Sequence, residues 1–246
     1  MLKGRVALVT GSATGLGRWI VVKLAASGAD VAINYRKSKL AAGSLVKEAS
    51  RRGVRARAYR ADVSDPAQAE RLVASVVRDL GRLDILVNNA GDWIYKPTME
   101  TSNREFDAVI KGNLHSMFYC TKAALPHLRR GGSGRIVNLG VVGAQSAQGI
   151  GSMGAFMAAK AGVVAFTRSV ALEEARFGIT ANVVCPGIIQ DKTMSIKEAK
   201  KVKDAKVPMG RPPTGEDIAN AVLHFASDEA SFVTGNVLLV TGGWHI

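Results

Sequence analysis

Apolar runs alternate with amphipathic stretches from one end of the chain to the other. Val6–Thr10, Val31–Tyr35, Val54–Ala61, Ile85–Asn88, Ile136–Leu139, Ile179–Cys185 and Val237–Val240 are short, mostly unbroken and rich in β-branched residues, the pattern of strands covered on both faces. Between them, Leu16–Ala26, Ser38–Arg52, Asp65–Leu80, Asn103–Leu128, Gly154–Phe177 and Gly215–Ser227 carry helical periodicity. Ser64-Asp65-Pro66 and Thr214-Gly215-Glu216 supply capping side chains just ahead of two of these helices. Strict alternation predicts an α/β fold: a parallel sheet with helices on both faces and right-handed crossovers. No linker, repeat or low-complexity stretch divides it, so residues 1–246 read as one domain. The third strand carries Arg55, Arg57 and Arg60. Charges of that kind are costly in a central strand and protective at an exposed one, which places it at a sheet edge.

Composition changes little of this. With 246 residues, 47% hydrophobic and 22% charged, the chain can bury a core without disulfides or a structural metal. No apolar run approaches the length of a membrane-spanning helix, and the five-residue run at Val6 is too short for a signal-peptide core. A cytoplasmic location, with no membrane partner, is expected. Cys120 and Cys185 lie in apolar surroundings without metal-ligand spacing, so they read as inert thiols and no metal is expected.

The formal net charge of +13 raises the question of nucleic acid. Much of the excess falls in three groups: Arg51, Arg52, Arg55, Arg57 and Arg60; Arg129, Arg130 and Arg135; and Lys192, Lys197, Lys200, Lys201, Lys203 and Lys206. No zinc-finger spacing, basic zipper or aromatic ribonucleoprotein motif accompanies them, and they read as solvated surface rather than as a nucleic-acid footprint.

The strongest chemical signal is Thr10-Gly11-Ser12-Ala13-Thr14-Gly15-Leu16-Gly17, between the first strand and the first helix. Glycines there let the backbone turn sharply and approach a diphosphate, and the helix N-terminus offers unpaired amides and a partial positive charge. Gly11, Ser12, Thr14, Gly15, Leu16 and Gly17 are the candidate cradle of a dinucleotide. The second strand ends in Tyr35-Arg36-Lys37, without the carboxylate that would accept the ribose hydroxyls of NAD. Arg36 can pair with a 2′-phosphate, so NADP is the expected cofactor. Asp62 and Val63, at the end of the third strand, are placed to meet the adenine.

Taken together with Asn88-Asn89-Ala90-Gly91 after the fourth strand and Pro186-Gly187 followed by Thr193, these residues resemble the short-chain dehydrogenases/reductases over nearly the whole chain. The ending, from Gly210-Arg211-Pro212 through Asp217-Ile218-Ala219 to Gly242-Gly243-Trp244, is similar to that of bacterial 3-oxoacyl-acyl-carrier-protein reductases. The resemblance implies a seven-stranded Rossmann sheet and a homotetramer built through the fourth and fifth helices and the last strand. It also implies NADP-linked carbonyl reduction or alcohol oxidation on a small-molecule or acyl-thioester ligand. Asn89, Ala90, Gly91, Pro186, Gly187 and Thr193 would touch the cofactor, and Asn113 and Lys160 would belong to the catalytic set, with Lys160 also holding the nicotinamide ribose.

Two members of that set depart from the family pattern. The family places a Tyr four residues before the Lys; here Phe156 stands there and cannot donate a proton. The family places a Ser just after the fifth strand; here Val141 falls near that position. Ser146, Ser152 and Tyr95 are candidate substitutes, whereas Tyr119 reads as packing. Classical carbonyl reduction is therefore expected to be weak or absent. The alternatives are a displaced proton donor, a substrate that supplies its own proton, or a silent NADP-binding sensor, scaffold or partner subunit. The lysine-rich stretch 192–206 covers the substrate pocket in the family, and reads either as a contact for an anionic partner or as a solvent-facing helix on which Glu198 and Asp204 partly offset the charge.

Overall fold

The computed structural model describes residues 1–245. Seven strands, β1 Val6–Val9, β2 Asp30–Tyr35, β3 Ala56–Arg60, β4 Ile85–Asn88, β5 Arg135–Leu139, β6 Thr180–Pro186 and β7 Val237–Val240, form one sheet in the order β3-β2-β1-β4-β5-β6-β7. Every pairing is parallel. The order reverses direction between β1 and β4, the topological switch at which open α/β sheets bind ligands.

Period-two alternation in the strands assigns each buried side chain to one of two layers. Ala7, Val9, Val31, Ile33, Ile85, Val87, Val137, Leu139 and Val184 pack with residues of α1 Gly15–Ala26, α2 Lys39–Ser50 and α8 Gly215–Ala226. Val6, Leu8, Ala32, Leu86, Ile136 and Ala181 face α3 Pro66–Leu80, α5 Ser116–Gly131 and α6 Gly154–Glu174. The expected caps form. The Asp65 carboxylate accepts from Gln68 N–H ahead of Pro66 at the start of α3, and Thr214 and Asp217 cap α8 reciprocally. α1 and α8 approach so closely that a Cβ on Gly215 would lie 2.2 Å from Trp19 Cδ1.

The edge position expected for the third strand holds, although β3 is shorter than Val54–Ala61. The Arg55 amide donates to the Asp30 carboxylate (2.7 Å) instead of entering the ladder, so pairing begins at Ala56.

Four expectations need correction. Asn103–Leu128 is not one α-helix: α4 Asn103–Ile110 leads through a π turn, Lys111–His115, into α5. Periodicity does not reveal a single wide turn. Arg135 is not surface: it opens β5, is 2% exposed, and donates to the carbonyls of Ser133, Gly134, Gly178 and Ser227. Gly154–Phe177 does reach membrane-spanning length and hydropathy, by length and composition only. Half of that window is buried, with Val163, Val164, Val170 and Ala171 packed inside the protein, as befits a core helix. Finally, the lysine-rich stretch holds only the single-turn helix α7 Ile196–Ala199, capped by Ser195 and Glu198.

Candidate functional site

A cleft of about 700 Å³ opens at the carboxyl ends of β1, β2, β4 and β5, a size that suits a cofactor. Its floor is the turn Gly11–Gly15. Gly11 and Gly15 both have φ +58°, a left-handed conformation that L side chains rarely adopt. Thr14, the N-cap of α1, is extended and makes no side-chain cap, and the first turn of α1 holds no acidic residue. The helix therefore presents its first amides and its positive end without a built-in counter-charge.

The turn is fixed from both sides. Asn34 Oδ1 accepts from Gly11 N–H (2.9 Å) while its Nδ2 donates to Ala61 O (3.1 Å), tying β1, β2 and β3 together. Thr10 Oγ1 accepts the amides of Asn89 and Ala90 (3.0 Å each), and Asn89 Nδ2 donates back to Thr10 O and Gly11 O. Sequence reasoning read Asn34 only as strand; its signal is a buried amide at a strand end beside a glycine turn.

Tyr35, Arg36, Asp62 and Val63, the residues for which the sequence suggests adenosine contacts, line one end of the cleft. The Arg36 guanidinium lies 3.7 Å from Asp62 Oδ2 and 3.4 Å from Asp92 Oδ2. Burial pushes the Asp62 carboxyl up, but hydrogen bonds from Ser64 and the charge of Arg36 outweigh it, and the net shift is downward. Lys37, beside Arg36 at the strand end, also lines the cleft, as do Ser38, Asp92 and Trp93, for which the sequence offered no motif.

At the other end lie Asn113, Phe156, Lys160, Leu139 and Gly140. The π turn carries Asn113, which is 2% exposed. Its Nδ2 donates to Asp92 O (2.6 Å) and Val109 O (2.9 Å), and its Oδ1 is buried without a partner. A Cβ on Gly91 would meet that oxygen at 2.3 Å, so glycine is required where the loop after β4 crosses the turn. Lys160, on α6, donates from Nζ to Leu139 O (2.7 Å). Burial pushes its ammonium down from 10.5 to about 8, with Cys185 acting weakly in the other direction. Phe156 stands one helical turn earlier, its ring centroid 5.5 Å from Nζ.

The structure brings Gly11, Thr14, Gly15, Leu16, Tyr35, Arg36, Asp62, Val63, Asn89, Ala90, Gly91, Asn113, Phe156, Lys160 and Pro186 to the cleft wall. Other candidates lie off it. Ser12 is fully buried, and a Cβ on Gly17 would lie 2.5 Å from Ser12 Cα, so both support the turn from beneath. Gly187 faces Thr241 and Trp244, and the Thr193 hydroxyl donates to Asp191 (2.6 Å). Val141 packs on the small apolar cluster of Ala144, Val164, Val183 and Cys185. Ser146 donates to Gly143 O, Ser152 sits at φ +61° outside the lining, and Tyr95 is 70% exposed and also outside it. Tyr119 stacks edge-on with His115 and Phe118, as its packing role requires. Burial raises the two free thiols, Cys120 to about 12 and Cys185 to about 11.

This sheet order and cleft are those of a known class. The family model described as Enoyl-(Acyl carrier protein) reductase matches residues 11–245, and the chain belongs to the short-chain dehydrogenase/reductase family of oxidoreductases. Within that family it is homologous to the FabG-type reductases: it is 40% identical over 243 residues to the 3-oxoacyl-[acyl-carrier-protein] reductase FabG of Staphylococcus aureus, covering 98% of both chains. It is 34% identical to the hydroxynaphthalene reductase-like protein Arp2 of Metarhizium robertsii, covering 98% of this chain and 95% of the relative. Among solved structures it matches a blue fluorescent protein from a metagenomic library in complex with NADPH, at 36% identity and TM-score 0.89, over 100% and 99% of the two chains. Acetoin dehydrogenase YohF of Salmonella typhimurium matches at 30% identity and TM-score 0.90, over 98% and 95%.

Proposed function

We propose that the cleft binds NADP and that the chain is a 3-oxoacyl-reductase-type short-chain dehydrogenase/reductase in which classical carbonyl reduction is weak or absent. The cleft fits the cofactor on its own terms. Left-handed glycines at 11 and 15 bare the backbone, the α1 amides are uncapped, and the adenosine-end wall offers a cation at the end of β2. When bound, NADPH supplies a hydride. Arg36 would exchange its two carboxylate partners for the 2′-phosphate, and Lys160 would hold the nicotinamide ribose. The NADPH complex of the metagenomic blue fluorescent protein, similar over the full chain, supports the same reading.

The observation that carries the catalytic half of the proposal is the Phe156 ring, lining the cleft one turn before Lys160. A carbonyl that accepts a hydride becomes an alkoxide and needs a proton, and a phenyl ring has none to give. Ser146, Ser152 and Tyr95 lie outside the lining, and Val141 has no hydroxyl, so the usual polarising and protonating groups are both missing from this wall. Loss of one positioned acid costs about a hundred- to ten-thousand-fold. The same ring favours a second reading, an NADP-binding subunit without turnover. A homotetramer fits the outer surface: β7 leaves a sheet edge open, and Phe118 and Leu172 stand exposed on α5 and α6.

The test is NADPH consumption over a panel of 3-oxoacyl thioesters by the wild type and Phe156→Tyr, with cofactor binding measured in parallel. The proposal expects tight NADPH binding, little wild-type consumption and at least a tenfold gain in the variant. Binding without turnover in either protein selects the silent subunit. Wild-type turnover at an ordinary enzyme rate, on the order of 10 per second, refutes the proposal.

A further inference from the structure

We propose that Lys192 is a clamp for the diphosphate of the dinucleotide, carried on the loop after β6 and held over the N-terminus of α1 by a tether to Trp19. The inference rests on the dinucleotide reading of the cleft and deepens it. Of the lysines between 192 and 206, Lys192 is the one whose side chain lines the cleft. Its carbon chain lies across the glycine turn, where a Cβ on Gly15 would be 3.4 Å from Lys192 Cδ.

The charge arrangement is unfavourable as it stands. A cation sits beside the positive end of α1, whose first turn offers no acid and whose N-cap makes no side-chain bond. Among the described residues no carboxylate lies within ion-pair distance of Lys192. The neighbouring Asp191 spends Oδ1 on the Thr193 amide (2.7 Å) and hydroxyl (2.6 Å). An anion between the ammonium and the uncapped amides turns both from a cost into a gain.

The loop is not free to carry the lysine away. Trp19 Nε1 donates to Lys192 O (2.9 Å), and the indole is itself pressed against Gly215 at the start of α8. Trp19 is therefore a positioning residue acting through Lys192. Arg36 marks the adenosine end and Lys192 the middle of the bound dinucleotide, so the two cations answer to different phosphates.

The experiment measures binding of NADPH, NADH and 2′-AMP by calorimetry to the wild type, Lys192→Ala and Lys192→Arg, with melting temperatures confirming that these exposed substitutions leave the fold intact. Lys192→Ala is expected to weaken NADPH and NADH by a similar factor, roughly tenfold for one charge-assisted hydrogen bond. It should leave 2′-AMP, which has no diphosphate, unchanged, and Lys192→Arg should retain most of the affinity. Trp19→Phe should weaken NADH roughly threefold in the wild-type background, on the order of a weak neutral hydrogen bond, and not at all beside Lys192→Ala. Dinucleotide affinities within twofold of wild type overturn the clamp, and a loss confined to NADPH overturns it by reassigning the lysine to the 2′-phosphate. An equal Trp19→Phe effect in both backgrounds overturns the tether. Failure of the wild type to bind either dinucleotide overturns the reading of the cleft itself.

Discussion

Lys160→Met isolates the cost of keeping an ammonium inside the protein. The side chain is 6% exposed, its one hydrogen bond goes to Leu139 O, and burial holds its pKa near 8 against 10.5 in an open chain. A cation whose pKa falls on folding is penalised below its folded value and relieved as pH rises toward its unfolded one, because the unfolded chain then binds the extra proton. From 10.5 to about 8, at about 1.4 kcal/mol for each pKa unit, the penalty is roughly 3–4 kcal/mol. Methionine has similar length and no charge. Orphaning Leu139 O shifts the variant by an amount that does not titrate. The difference in unfolding free energy between wild type and variant, from denaturant titrations at fixed protein concentration without cofactor, should be constant between pH 6 and 7.5. It should then move by roughly 3–4 kcal/mol in favour of the wild type between pH 8 and 10.5. A difference that stays flat across that interval would mean the lysine is not titrating as a buried group, and would refute the assignment.

Three further outcomes are expected. Arg36→Ala should weaken NADPH by about tenfold and NADH by less than twofold, the loss of a phosphate pair alone; equal loss for both would remove the 2′-phosphate assignment. Gly17→Ala forces a Cβ to within 2.5 Å of Ser12 Cα and 2.7 Å of Asn89 Nδ2, and should cost about 1–3 kcal/mol in stability together with dinucleotide binding; an unchanged melting curve counts against the packing described. Asp84→Ala removes a buried carboxylate that accepts from Val6 N–H (2.8 Å) and from the Arg82 guanidinium. A loss of about 3 kcal/mol is expected by denaturant titration, and a loss below about 0.5 kcal/mol would show that water replaces those bonds.

Much of this was legible because the relevant physics is local. Strands covered on both faces must be continuously apolar, so six of them announce themselves; the charged third strand announced its edge position by the same rule inverted. Glycines 11 and 15 were legible because a strand, a turn and a helix followed in order. What escaped depended on contacts distant in the chain. Asn34 matters through Gly11 and Ala61, Asp92 through Arg36 and Asn113, and Lys192 through Gly15 and Trp19. Arg135 looked like surface since its acceptors come from Gly178 and Ser227. Val141 is placed by its position just after the fifth strand, and position in the chain does not say which way a side chain turns.

The five-residue turn at Lys111–His115 inserts a phase slip into what would otherwise be one rod. One surplus residue rotates everything after it by about 100° relative to everything before. Asn113 sits inside the wide turn, where its Nδ2 reaches Val109 O in its own helix and Asp92 O in the loop after β4, while Cys120, Ala124 and Leu128 are buried beyond it. Removing a single residue from this stretch would turn α5 by about 100° relative to α4 and break the two bonds that place Asn113, so the chain's length here is as much a part of the site as any side chain.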